Sequence, residues 1–411
     1  MNIAKGRPFP FVFLVFPLVC NLGLVASPVQ AADDTPVFVP EDGSLFANSV
    51  TVSQTIQELG NRGWHFGSYV DLGYVYNFNQ PANGLWRSKG TTYEVNNPRV
   101  NMFMGYVQKD ATPESRWGLE FGMQGGIDTD NLVTESPPQA NKPIEHADTL
   151  RHFYRANASY LFPVGNGLEV TAGLINSYIG YESYHAIDNP NYTRGYILDD
   201  VPYFLFGAQA SYPVNKRLTV SLFSVSGYNY LANPNDQFSY GLQMVWEASP
   251  KLTFTQNLYY GPDQDDTDLQ FWRFLSDSIL EWKSEEFLLA FAYDVGTEKQ
   301  AQVAGDPRFV WMGSAVWAKW HVGGPWSVAV RPEVYWDPQG LISGAEQLLH
   351  AYTATVEYKL SFLTFNTAVA MLEYRYDRST GSGGGFFKGA DNRLVPNQHQ
   401  VLLGLMWALD S

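Results

Sequence analysis

The sequence predicts an all-β protein: a transmembrane, antiparallel, up-and-down β-barrel of about sixteen strands. Three observations predict it. Apolar and polar residues alternate with period two over long segments, short and long connections alternate between those segments, and no apolar run after the N-terminal leader is long enough for a membrane helix. Segment boundaries read this way carry a margin of about 2–4 residues, so fourteen and eighteen strands are the neighbouring even counts.

The leader comes first. Lys5 and Arg7 precede an apolar run from Phe9 to Val25, and Val29-Gln30-Ala31 has the small-residue form of a cleavage site, so residues 1–31 read as an export signal. Cleavage after Ala31 removes both cations and Cys20, the only cysteine; 24 basic against 41 acidic residues then leaves −17, compared with −15 for the whole chain. Residues 32–63 do not follow the strand pattern. Val52, Ile56 and Leu59 have helical spacing that Gly60 ends, which suits a periplasmic segment or a partial plug. Residues 64–411 are the expected barrel.

The first strand segment shows the pattern. From Trp64 to Phe78, Trp64, Phe66, Val70, Leu72, Tyr74, Tyr76 and Phe78 share one face, while His65, Gly67, Asp71, Gly73 and Asn77 share the other. Similar segments are expected at 100–109, 116–127, 150–162, 168–177, 201–212, 218–228, 238–248, 252–260, 269–282, 287–297, 308–321, 326–336, 347–358, 363–376 and 398–409. Short turns near 110–115, 163–167, 213–217, 249–251, 283–286, 322–325 and 359–362 separate longer connections such as 128–149, 178–200 and 377–397. Outer-membrane barrels have this rhythm, with tight periplasmic turns and long external loops. Closure follows from the solvent: in hydrocarbon each backbone N–H and C=O needs a partner, so the sheet has no free edge. Aromatic pairs at strand ends, Trp64/Phe78, Trp272/Trp282 and Trp326/Trp336, suit two interfacial girdles.

The polar face fixes the candidate lumen. Asp71, Glu120, Arg151, Arg155, Glu169, Arg273, Asp277, Arg331 and Glu333 are assigned inward as pore-lining residues, because an Arg or Lys on the lipid face near midplane costs about 2–4 kcal/mol. Charged residues are only 16% of the chain and aromatics 15%. The acidic balance excludes a nucleic-acid partner, and one cysteine excludes a disulfide framework.

The connection from Tyr178 to Asp200 carries Gly180-Tyr181-Glu182 and Asn189-Pro190-Asn191-Tyr192-Thr193-Arg194-Gly195. With Gly67-Ser68-Tyr69-Val70-Asp71 and Ala172-Gly173-Leu174-Ile175, it resembles the OmpL-like β-barrel porin family across about 64–409. The end of the chain departs from the aromatic terminus common in such barrels: Trp407 is followed by Ala408-Leu409-Asp410-Ser411. The resemblance implies an outer-membrane porin and names no solute. By analogy with porins whose third external loop narrows the lumen, Tyr181, Glu182, Asp188, Asn189 and Arg194 are the constriction candidates. There Glu182, Asp188 and Arg194 would set a transverse field.

No catalytic elbow, phosphate loop or zinc-protease helix is present, so no catalytic residue, cofactor site or metal site is assigned. Asp263, Asp265, Asp266 and Asp268 read as a solvated acidic tip, and Gly381 to Gly389 as a flexible linker. The expected protein is a non-enzymatic diffusion channel of the cell outer membrane, surrounded by lipid and lipopolysaccharide. It would pass small hydrophilic solutes with a preference for cations, and associate as a homotrimer by analogy with other sixteen-stranded pores. A substrate-specific channel and an outer-membrane hydrolase are the alternatives.

Overall fold

The computed structural model describes residues 59–131, 151–228, 230–231, 235, 237–363 and 366–410. The chain divides into Met1–Arg62 and Gly63–Ser411. The expected export signal and the helical spacing of Val52 and Ile56 lie outside the described residues; Leu59 and Gly60 are helical and a turn follows.

The second unit is a closed antiparallel barrel of sixteen strands. In chain order these are β1 (Trp64–Asn77), β2 (Pro98–Lys109), β3 (Trp117–Gly125), β4 (Phe153–Phe162), β5 (Leu168–Asn176), β6 (Phe204–Asn215), β7 (Leu218–Val225), β8 (Ser239–Ser249), β9 (Leu252–Pro262), β10 (Trp272–Lys283), β11 (Phe287–Lys299), β12 (Arg308–Gly323), β13 (Trp326–Asp337), β14 (Gln347–Leu363) and β15 (Asn366–Thr380). The last connection forms a small hairpin, β16 (Phe386–Lys388) with β17 (Arg393–Val395), before β18 (Asn397–Asp410) completes the wall. Neighbours in sequence pair throughout, and β18 lies between β15 and β1 with Gly67 opposite Asp410 and Asn77 opposite Gln400. All sixteen expected segments overlap a barrel strand.

The two faces follow the alternation. On β13, Ser327, Ala329, Arg331, Glu333, Tyr335 and Asp337 are buried, while Trp326, Val328, Val330 and Trp336 are exposed. On β15, Leu372 is 55% exposed and its neighbour Glu373 only 1%. Side chains of adjacent strand residues point to opposite faces, so one register step separates the two environments.

Two local expectations change. The turn expected near 359–362 lies further along: β14 continues through Leu363, and Lys359 pairs with Val369. The ladder therefore persists to the pairing of Leu363 with Asn366. The glycine-rich connection is not simply a linker. Phe386 and Phe387 pair across from Val395 and Leu394, and Phe386 is buried. Bulky strand-forming residues on both sides of Gly389 bring the hairpin together.

Candidate functional site

The third long connection, 177–203, turns into the lumen instead of capping it. Its local chemistry explains the turn. Gly180 adopts φ +97, a left-handed conformation that a side chain would strain, and this aims its N–H at Asp277 Oδ2 of β10 at 2.7 Å. Asn189 closes the tip: its Nδ2 donates to Ser183 O at 2.7 Å and its Oδ1 accepts from Ser183 N at 2.7 Å. Glu182 then joins the two legs, accepting from Gly195 N at 2.7 Å through Oε2.

Each residue along the connection meets a different part of the wall. Tyr178 Oη donates to Leu258 O of β9 at 2.8 Å, and Tyr181 Oη donates to Glu281 of β10 at 2.8 Å. Glu182 Oε1 accepts from Arg331 of β13 and from Trp317 Nε1 of β12 at 3.0 Å. Asn191 reaches Thr355 of β14 at 2.7 Å. Tyr192 crosses to the closing seam, donating from Oη to Asp71 of β1 at 2.8 Å and accepting from Asn101 of β2 at 2.6 Å. Its ring lies where side chains at Gly73 and Gly404 would stand: a Cβ on either glycine would come within 2.3 or 2.4 Å of Tyr192 atoms. The N–H groups of Tyr192 and Thr193 point at Glu373 of β15, which also receives the Thr193 hydroxyl. Tyr196 N donates to Glu333 at 2.8 Å.

A buried charge network holds the far end. Arg375 of β15 lies 2.9 Å from Glu333 and 2.8 Å from Asp377, and its guanidinium packs against the Trp86 and Tyr196 rings at 4.9 and 4.7 Å. Lys89 pairs with Asp199 and donates to Arg194 O at 2.7 Å. Arg194 pairs with Asp128. Burial pulls the Arg194 guanidinium down, but Asp128 and Asp71 outweigh it and hold the group above its ordinary value. Buried charges persist when paired and hydrogen-bonded, as all of these are.

The sequence-derived candidates separate into two groups. The structure brings Tyr181, Glu182, Asn189 and Arg194 together in the lumen with Asp71, Asp277, Arg331 and Glu333. Glu182 and Arg194 are fully compensated, so they brace the connection and offer no free charge; Asp188, whose side chain is 57% exposed, is the charged candidate open to solvent. The others stand apart. Glu120 and Arg155 pair with each other on β3 and β4, keeping 25% and 24% of their side-chain surface. Arg151 precedes β4 and lies 3.6 Å from Asp130. Glu169 sits at the short-turn end of β5, opposite Leu161. Arg273 bridges Asp263 at 2.8 Å and Glu298 at 2.7 Å. Asp263 is therefore not part of a solvated tip; Tyr228 N and Tyr259 Oη also donate to it.

Sequence reasoning missed Trp317, Glu373, Arg375, Asp377 and Lys89. The spacing of Glu373, Arg375 and Asp377 at alternate positions was a usable signal. Nor is the inward face polar everywhere: Ala290, Ala292, Ala315 and Trp317 face inward and pack with Ile197 and Tyr181 of the connection.

A family model described as "Putative beta-barrel porin-2, OmpL-like" matches residues 63–409. No curated protein matches the sequence. Among solved structures, OmpT of Vibrio cholerae in a trimer form is 11% identical with a TM-score of 0.50, the match covering 84% of this chain and 98% of that one. An anion-selective porin from Comamonas acidovorans is 12% identical with a TM-score of 0.47, covering 85% and 99%. At these identities the likeness concerns the fold.

Proposed function

Because the chain belongs to the OmpL-like β-barrel porin family, we propose that it is a non-enzymatic outer-membrane porin whose third long connection constricts the lumen. The observation that carries this reading is the course of residues 177–203, which cross the inside of a closed sixteen-stranded barrel and are hydrogen-bonded to nine separate strands, among them β1, β9, β13 and β15. Small hydrophilic solutes and ions diffuse past that connection, with Tyr181, Glu182, Asp188, Asn189 and Arg194 building the narrow zone. The short turns face the periplasm and the long connections face outward. Planar-bilayer recording of the purified protein tests this: discrete conductance steps are expected, and their absence rejects the channel.

The channel prefers cations. The acidic balance supports this: the chain as a whole carries −15, and Asp188 of the inserted connection keeps a side chain open to solvent. Under a salt gradient the reversal potential is expected to take the sign of cation flow; the opposite sign would count against the preference. The assembly we propose is a homotrimer, in keeping with the trimer form in which OmpT of Vibrio cholerae was solved.

Lipid surrounds the exposed face. Leu372→Arg, at the middle of β15, is expected to lower folding stability in vesicles by about 2–4 kcal/mol. The shift in urea midpoint of the heat-modifiable band measures it.

A further inference from the structure

We propose that the outward face around Arg378, on β14, β15 and β18, binds the phosphate of an outer-leaflet lipid. The inference rests on the reading above that the long connections face outward, and it gives the lipid side of the barrel a specific contact.

Arg378 is the one charged residue facing outward on β13, β14, β15, β18 and β1 among the described residues. Its buried neighbours Asp377 and Ser379 fix that direction, because successive side chains on a strand alternate. It is exposed, and its guanidinium has no hydrogen bond or ion pair among the described residues. Its depth is that of a headgroup. Arg378 stands six residues beyond Leu372, which is near the middle of β15, and that spacing is about 20 Å along a strand. At the tilt usual in such barrels this is about 15 Å toward the external surface, half the hydrocarbon thickness.

The polar groups left over around it are donors. His350 and Asn397 are its direct cross-strand partners. Asn397 Oδ1 accepts from Tyr376 Oη at 3.0 Å, which leaves the amide nitrogen. His399 is tied through Nδ1 to Tyr374 Oη at 2.7 Å, which leaves Nε2. A guanidinium flanked by neutral N–H groups complements an anion, and phosphate oxygens match its fork. The surface beneath selects an amphiphile over a free anion. The Tyr352 and Tyr376 rings stack with centroids 6.4 Å apart, and Leu372 and Leu403 are exposed below them, where acyl chains would lie. Arg308, another outward arginine, shows the contrast. It lies 3.6 Å over the Trp272 ring, and its cross-strand neighbour Lys299 is 3.6 Å from Asp306, so an acid already shares that patch.

The test is native mass spectrometry of the full mature protein in detergent, titrated with lipid A, the phosphorylated anchor of lipopolysaccharide, and with the same glycolipid stripped of phosphate. Lipid A is expected to bind the tighter of the two. Arg378→Gln removes the charge, and Asn397→Asp puts a carboxylate beside the phosphate; either is expected to weaken lipid A binding roughly tenfold. Arg308→Gln should leave it unchanged, and heat-modifiability on gels shows that each variant has folded. Equal binding of the stripped glycolipid, or unchanged affinity in both Arg378→Gln and Asn397→Asp, overturns the site. An equal loss in Arg308→Gln overturns it too, since any surface charge would then serve. Displacement of lipid A by equimolar inorganic phosphate would mean a free-anion site and also overturns the lipid. Conductance steps from the same preparation separate the two readings: a protein that conducts without preferring lipid A loses the site alone, and one that gives no steps loses the channel.

Discussion

Arg331→Ala is expected to loosen the inserted connection, destabilising the barrel by about 3–5 kcal/mol and raising its single-channel conductance. Both side chains of the Arg331–Glu182 pair are 0% exposed. Removing one member leaves the other charge buried without its partner, and that uncompensated charge is the origin of the cost. Arg331 also donates to Thr193 O, so the substitution releases both legs of the connection at once. Glu182 would retain Trp317 Nε1 and Gly195 N, two neutral donors that do not replace a guanidinium. The urea midpoint and the open-channel current are the two readouts. A lower midpoint with unchanged current would mean that the pair stiffens the wall and does not gate passage. The double variant Arg331→Met, Glu182→Leu should recover much of the lost stability, because apolar replacement of a whole buried pair is often neutral or better. If the single and double variants prove equally unstable, the coupling assigned here is wrong.

That network also marks the limit of what the residues alone disclosed. The barrel was legible because period-two alternation reports the environment of each strand directly: Leu372 outward and Glu373 inward need no tertiary information. The placement of 178–200 in the lumen rests on analogy with porins whose third external loop narrows the pore, yet much of its motif proves to be local mechanics. Gly180 supplies a left-handed bend, Asn189 closes the tip, and Gly195 leaves room for Glu333, whose Oε2 would lie 2.6 Å from a Cβ there. The partners stayed hidden for a different reason. Glu373, Arg375 and Asp377 stand at alternate positions that place them on one face, a signal the sequence reading passed over, but alternation does not say which inward charges meet one another across a lumen. Thr193 and Glu373 are 180 residues apart in sequence. Tryptophans divide between the two environments. Those at strand ends, such as Trp326 and Trp336, are exposed, whereas Trp86, Trp311 and Trp317 are buried. On β12 both faces are apolar, so only the connection packed against Ala315 and Trp317 distinguishes inside from outside.

Gly404→Leu is expected to displace Tyr192 from the closing seam. Gly404 lies in β18, opposite Gly73 of β1 in the register that closes the barrel, and the two glycines leave the gap that the Tyr192 ring fills. Gly404 is not among the glycines with positive φ, so its backbone accepts a side chain and the strand itself should pair normally. The conflict is confined to space: a Cβ would stand 2.4 Å from ring carbons of Tyr192, and overpacking of this kind costs about 1–3 kcal/mol. Displacement also strips Asp71 of the Tyr192 hydroxyl and leaves a buried carboxylate short of a donor. Tyr192→Phe removes only that hydroxyl and should have the smaller effect on conductance. The decisive comparison is Gly404→Leu with and without Tyr192→Ala. If ring and leucine compete for one volume, the second change relieves the first, and the double variant is more stable than the sum of the single effects predicts. Strict additivity would show that the ring has another resting place, and that the two glycines serve the wall and not the inserted connection.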